Sequence, residues 1–103
     1  MLRALVLAIA FAAAAGSAPA RAEATPQAVM YATSWCPYCA KARAYFARSG
    51  IAYVEHDIEK SASANAEFKR LGGRGVPLFV VGREKWSGFS EQGFEDMLAR
   101  AAR

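Results

Sequence analysis

The chain has 103 residues, of which 54% are hydrophobic and 12% aromatic, so it is long enough for one domain with a packed core. Its two cysteines and one histidine exclude a zinc site with four cysteine or histidine ligands from one chain, and they exclude a scaffold held by several disulfides. The formal net charge of +4 comes from scattered basic residues, so the sequence predicts no nucleic-acid partner.

The N-terminal segment has the organisation of a secretory signal peptide. Arg3 supplies the charged start, residues 4–15 are an unbroken apolar run, and A-x-A patterns end at Ala20 and Ala22. As a helix the run would span only about 18 Å of the ~30 Å bilayer core, which argues against an uncleaved anchor. We therefore expect cleavage after Ala22, no permanent membrane anchor, and a periplasmic or secreted protein. The expected division is a signal peptide at 1–22, a leader at 23–27 and a domain at 28–103.

The first half of the expected domain predicts a strand, a loop and a helix. Residues Ala28–Ala32 form a short apolar run with β-forming side chains, which is typical of a buried strand. After a loop at 33–35, a helix is predicted to begin around Cys36 and to run on to residue 49, because proline at the next position is favoured in a first helical turn. Gly50 can end this helix, since glycine readily adopts the left-handed conformation.

The second half continues the alternation of strands and helices. Its predicted elements are a strand at 51–58, a helix that ends before 72, strands at 77–81 and 84–87, and a helix at 91–101. Ser61 or Ser63 can cap the first of these helices, and Ser90 can cap the second. The resulting order is β-α-β-α-β-β-α, and its crossover units predict an α/β layer fold.

The chemistry is concentrated in Cys36-Pro37-Tyr38-Cys39, a C-x-x-C motif beside a strand–helix unit. Residues three apart on a helix face the same side, so the two sulfurs can meet. The first sulfur would lie at the helix start, where unpaired N–H groups and the helix dipole favour an anion. Because a thiolate is the nucleophile in disulfide exchange, we predict that Cys36 attacks and Cys39 resolves, while Pro37 and Tyr38 tune the reaction.

Three other interpretations of the motif are weaker. A purely structural disulfide would stabilise the fold by only roughly 2 kcal/mol, because it would close so short a loop. A haem attachment site needs a histidine after the second cysteine, where this chain has Ala40. Half of a metal site would need a second chain to supply the remaining ligands, so no bound metal is expected.

Three segments of the sequence resemble the glutaredoxin family. They are Met30-Tyr31-Ala32-Thr33-Ser34-Trp35-Cys36-Pro37-Tyr38-Cys39, Gly75-Val76-Pro77 and Trp86-Ser87-Gly88-Phe89. The segments occur in the family's order and extend over essentially the whole expected domain. The resemblance implies a thioredoxin-like α/β fold, with a four-stranded mixed sheet flanked by three helices. It also implies a monomeric thiol–disulfide oxidoreductase with no permanently bound cofactor.

The resemblance further implies a substrate-binding surface around the dithiol. It makes Pro77 a cis-proline that faces the two cysteines, with the Val76 backbone turned outward to pair with an extended disulfide substrate. The implied substrate-binding residues are Trp35, Pro37, Tyr38, Val76, Pro77, Gly88 and Phe89. Trp35 is expected either to shield the thiolate or to pack on its own loop.

Two positions depart from the glutathione-using members of the family. Thr33 stands where those members often carry a lysine that meets a glutathione carboxylate, and Ser90 stands where they often carry an aspartate. Arg74 is a candidate replacement for the missing charge. The segment at 86–89 is closer to the glutaredoxin-like hydrogen donors of ribonucleotide reductase. We therefore favour a protein electron donor and retain glutathione as a candidate reductant.

Together these features favour a reductase-like exchanger that acts on disulfide-containing proteins or glutathione in an exported compartment. A dithiol in an oxidising compartment is a reductant only if something re-reduces it, so an oxidase or isomerase is the alternative. Residues 74–77 also resemble the segment before the cis-proline of periplasmic disulfide oxidases. A non-enzymatic alternative is a dimeric [2Fe–2S] carrier that uses Cys36 from each of two chains.

Overall fold

The computed structural model describes residues 26–103, so the predicted signal peptide and most of the predicted leader lie outside the described part. The strands and helices follow the predicted order. They are β1 (Ala28–Ala32), α1 (Pro37–Ser49), β2 (Tyr53–Asp57), α2 (Ala62–Arg70), β3 (Leu78–Val81), β4 (Glu84–Ser87) and α3 (Glu91–Ala101). Among residues 26–103, no helix combines the length and the apolar content that crossing a membrane would require.

The four strands form one mixed sheet in the order β2-β1-β3-β4. β1 is parallel to β2, whereas β3 is antiparallel to both β1 and β4. α1 supplies the crossover connection that two parallel neighbours require. Ala32 at the end of β1 lies opposite Asp57 at the end of β2. The loop before α1 and the turn before α2 therefore leave the sheet at the same edge, and the predicted mixed sheet with three helices is confirmed.

The observed strands differ from the predicted ones at their ends. β2 begins later than predicted because the N–H of Ile51 donates to the carbonyl of Phe46 at 3.0 Å, so Ile51 completes the end of α1. β3 begins at Leu78 because Pro77 has no N–H to contribute to a strand ladder. Both differences arise where a backbone group pairs with something other than a neighbouring strand.

Both faces of the sheet are covered, which explains why β1 is apolar along its length. On one face, Met30 packs in a cluster with Phe46 of α1 and Phe94 of α3. On the opposite face, Tyr31 packs with Phe68 of α2. Successive strand residues point to opposite faces, so β1 contributes to both clusters.

Serine side chains begin two of the helices, as predicted. Ser61 Oγ accepts the N–H of Ala64 at 3.1 Å, so Ser61 and not Ser63 caps α2. Ser90 Oγ makes the equivalent bond at 3.1 Å at the start of α3. Gly50, with a φ of 68°, ends α1 in the left-handed conformation that its position predicts. These local bonds fix where each helix starts and stops relative to the sheet.

Candidate active site

Cys36 and Cys39 meet at the N-terminal end of α1. Their Cα atoms are 5.2 Å apart and their sulfurs are joined, so the structure is the oxidised form of the dithiol. Cys39 is completely buried and Cys36 is nearly so. The first turn of the helix therefore brings the two sulfurs together as the C-x-x-C spacing predicts.

The side chain of Cys36 caps α1. Its backbone is extended, with φ −75° and ψ 119°, and its Sγ accepts the N–H of Cys39 at 3.1 Å. Pro37 occupies the first helical position, where its missing N–H costs no hydrogen bond. The first turn of α1 contains no acidic residue that would oppose a negative charge. The capping bond and the helix dipole therefore both favour a thiolate at Cys36 once the disulfide is reduced.

Cys39 lies in the same hydrophobic cluster as Cys36, together with Ala42 and Phe46 of α1. Apolar burial disfavours a charged thiolate at both positions, and the capping bond at the helix start offsets this effect at Cys36. The two sulfurs therefore differ in this hydrogen bond. Within residues 26–103, no group of three histidine, cysteine or acidic side chains converges that could hold a metal ion.

The loop before β3 faces the dithiol. The Val76–Pro77 peptide bond is cis, as the family resemblance implies. The carbonyl oxygen of Val76 lies 3.6 Å from Cys36 Sγ. Pro77 is buried, and its carbonyl accepts the N–H of Gly88 at 2.9 Å. Val76 therefore lies beside the reactive sulfur, and Gly88 is tied to the adjacent Pro77.

Two exposed aromatic side chains flank the dithiol. Trp35 is 65% exposed and Tyr38 is 53% exposed, with the exposed Pro37 between them in the chain. The indole N–H of Trp35 donates to both carboxylate oxygens of Glu59, at 3.1 and 3.0 Å. The ammonium group of Lys41 lies 5.0 Å from the centre of the Tyr38 ring. Trp35 is therefore held at the surface by Glu59 and is not packed into its own loop.

Phe89 connects the site with the core. Its ring centre lies 5.7 Å from that of Tyr45 and 6.1 Å from that of Phe79. Phe89 also lines a surface pocket of about 400 Å³ on the Tyr38 side of the dithiol. Its ring is thus partly core and partly pocket wall, and its contact with substrate stays a prediction.

The two positions that depart from the glutathione-using pattern lie in different environments. Thr33 is 2% exposed, and among the described residues its Oγ1 has no hydrogen-bond partner. Ser90 caps α3 through its hydroxyl oxygen. Neither position presents a charge to the solvent beside the dithiol.

The sequence patterns did not predict that two charged side chains organise the site. Arg43 donates to the carbonyl of Thr33 at 3.0 Å and to the carboxylate of Glu55 at 2.7 Å. The side-chain hydrogen bond to Glu55 raises the pKa of Arg43, so this guanidinium stays cationic. The contact of Glu59 with Trp35 was not predicted, because the two residues are 24 positions apart and no sequence pattern links residues at that distance.

The fold and the site together define a thioredoxin-like protein with a redox dithiol at the start of its first helix. The family model described as Glutaredoxin matches residues 28–86, which is more than half of the chain. A glutaredoxin from Pseudomonas aeruginosa is 34% identical over 58 residues, or 55% of this chain and 69% of that protein. A glutaredoxin from Neisseria meningitidis serogroup B is 33% identical over 64 residues, or 60% of this chain and 75% of that protein. The chain therefore belongs to the glutaredoxin family.

Solved structures confirm the thioredoxin-like fold. A mutant of the thioredoxin-like protein BC3987 has a TM-score of 0.64 and 26% identity, covering 71% of this chain and 95% of that chain. A glutaredoxin from Archaeoglobus fulgidus has a TM-score of 0.61 and 20% identity, covering 81% and 98%. The glutaredoxin-like NrdH-redoxin from Escherichia coli has a TM-score of 0.60 and 22% identity, covering 72% and 92%. Family and fold together support thiol redox chemistry at the Cys36–Cys39 dithiol.

Proposed function

We propose that the protein reduces disulfides in other proteins, with Cys36 as the attacking residue and Cys39 as the resolving residue. In the reduced form, the Cys36 thiolate attacks one substrate sulfur, forms a mixed disulfide and releases the first substrate thiolate. Cys39 then attacks Cys36 Sγ and releases the second substrate thiolate, and the proton of Cys39 ends on a released thiolate. Two electrons pass to the substrate, and the product is the Cys36–Cys39 disulfide.

The observation that carries this assignment is the hydrogen bond from the Cys39 N–H to Cys36 Sγ at 3.1 Å. A backbone donor directed at a sulfur stabilises the thiolate over the thiol, and the helix dipole acts in the same direction. Apolar burial opposes a thiolate at both cysteines, and at Cys36 this hydrogen bond and the helix dipole counter it. The attacking role therefore suits Cys36, and the resolving role suits Cys39.

The Val76 backbone supports binding of an extended substrate. Its carbonyl lies 3.6 Å from Cys36 Sγ, so a substrate chain whose disulfide reaches that sulfur would pass beside it. An extended chain can pair with such a backbone edge, while its side chains provide specificity. Trp35 just before the motif and Tyr38 within it present exposed rings, and they complete the proposed binding surface.

We also propose that the reducing electrons come from a protein donor and that the domain works after export. The buried Thr33 and the capping role of Ser90 support the donor, because neither position offers a charge to glutathione. The charged start and apolar run at 1–15 support export, and a mature N-terminus at Glu23 would be found by N-terminal sequencing. An intact Met1 on cytosolic protein would contradict export. Exchange is reversible, so a measured reduction potential decides between reductase and oxidase.

Cysteine variants test the proposed roles. Cys39→Ser should still make the first attack and accumulate mixed disulfides with a substrate protein, because the resolving thiol is missing. Cys36→Ser should form no such adduct. In the reduced wild type, alkylation at mildly acidic pH should modify Cys36 first, as peptide mass mapping would show. Equal labelling of both cysteines, or adducts through Cys39, would contradict the assignment.

A further inference from the structure

The hydrogen bond between Trp35 and Glu59 has no evident role in holding the fold together. Trp35 is 65% exposed, so its indole buries little apolar surface against the rest of the chain. An exposed tryptophan beside a reactive cysteine would ordinarily sample several rotamers. Here both oxygens of one carboxylate accept the same indole N–H, at 3.1 and 3.0 Å. This contact restrains the ring next to Cys36.

The turn that carries Glu59 is itself fixed. Asp57 Oδ1 accepts the backbone N–H of Glu59 at 2.8 Å and that of Lys60 at 3.0 Å. The N–H of Ile58 donates to the carbonyl of Ala32 at 3.0 Å, which joins this turn to the end of β1. Because β1 and β2 are parallel, their following segments leave the sheet at one edge. The fold therefore builds a rigid support that reaches from β2 to the residue before Cys36.

We infer that Glu59 is a positioning residue that holds Trp35 as a fixed wall for the apolar side chain next to the substrate cysteine. An ordered indole face loses less conformational freedom on binding than a mobile one, so it binds an apolar group more tightly. A small polar disulfide has no such group to place against the ring. The inference rests on the proposed reduction of protein disulfides and names the substrate feature that the site selects.

Two matched peptides test this preference. Each is a homodimer joined by one disulfide, with either phenylalanine or glycine beside its cysteine. Pre-reduced protein is mixed with each peptide, and the single-turnover rate is measured against peptide concentration. For the wild type, the phenylalanine peptide should show the lower half-saturating concentration. Two electrons come from the protein dithiol, so the experiment needs no external reductant.

The variants separate the hydrogen bond from the charge. Glu59→Ala should raise the half-saturating concentration for the phenylalanine peptide about two- to tenfold, the change expected from losing one hydrogen bond, with the maximal rate unchanged. Glu59→Gln keeps a carbonyl acceptor for the indole and should retain the wild-type preference. In a Trp35→Phe background, which lacks the donor, Glu59→Ala should have no further effect.

The outcomes distinguish this inference from the proposed function. If the wild type reduces neither peptide, the proposed reductase activity itself is wrong. If it reduces both peptides equally, or if Glu59→Ala keeps the wild-type preference, the activity stands and the positioning role is wrong. Loss of the preference in Glu59→Gln would assign the effect to charge and would also overturn the inference.

Discussion

At the scale of single residues, Gly93 shows how packing overrides helix propensity. It lies near the start of α3, where a Cβ atom would come within 2.5 Å of the Trp86 ring and 2.9 Å of Ser90 Oγ. The Trp86 ring is itself stacked on Phe79, with ring centres 6.0 Å apart, so it cannot move without disturbing the core. Gly93→Ala gains at most about 1 kcal/mol in helix propensity, whereas overpacking costs about 1–3 kcal/mol. We predict a net loss of about 1 kcal/mol in the free energy of unfolding.

Urea unfolding followed by circular dichroism measures this change. The matched comparison is the same substitution in a Trp86→Leu background, where the smaller side chain removes the clash with the ring and leaves the contact with Ser90 Oγ. There Gly93→Ala should destabilise the protein less than it does in the wild type. A gain in stability in the wild-type background, or equal effects in both backgrounds, would show that the Trp86 ring is not the reason why position 93 requires glycine.

At the scale of elements, Arg43 joins α1, β2 and the loop before the dithiol. Its guanidinium binds the Glu55 carboxylate through two nitrogens and also reaches the Thr33 carbonyl. A lysine cannot reproduce this forked geometry. The ion pair is about one-third exposed, so solvent screening reduces its contribution. We predict that Arg43→Lys lowers the free energy of unfolding by about 1 kcal/mol.

Arg48 provides the control on the same helix. It pairs with Glu91, but the two side chains are 58% and 51% exposed. Exposed ion pairs contribute little, so Arg48→Lys should change stability by less than about 0.5 kcal/mol. Chemical unfolding of both variants at low and high salt compares them directly. If the two substitutions lower the free energy of unfolding equally, the contacts of Arg43 with the dithiol loop add no stability of their own.

At the scale of the whole molecule, we propose that charges contributed by separate elements around the site decide the reductant. The wild type should reduce hydroxyethyl disulfide with glutathione about ten- to a hundredfold more slowly than a glutaredoxin that has the usual lysine and aspartate, because a charged contact is missing. Ser90→Asp should recover part of this rate, since aspartate caps a helix as well as serine does and adds a charge.

Ser90→Asn is the matched control for that substitution. Asparagine also caps a helix but carries no charge, so its glutathione-dependent rate should equal that of the wild type. Steady-state assays with a fixed excess of glutathione compare the three proteins. Fast glutathione-dependent turnover in the unmodified domain would contradict the protein donor and would make glutathione the reductant.

The order of the elements, the helix caps and the dithiol could all be predicted from the sequence by itself. Hydrophobic periodicity, capping by Ser90 and by either Ser61 or Ser63, and the C-x-x-C spacing act over a few residues, so they are visible in the chain. The family resemblance predicted the cis peptide bond before Pro77, which no local sequence pattern specifies.

Only the tertiary structure decided which distant side chains meet at the site. The parallel pairing of β1 and β2 brings Glu59 to Trp35, and the packing of α1 against β2 brings Arg43 to Glu55. It also decided that Thr33 is buried. These contacts join residues that are far apart in the chain, and their partners depend on the strand order. A charged residue that is solvated in one arrangement of strands is a structural contact in another, and periodicity carries no information about that difference.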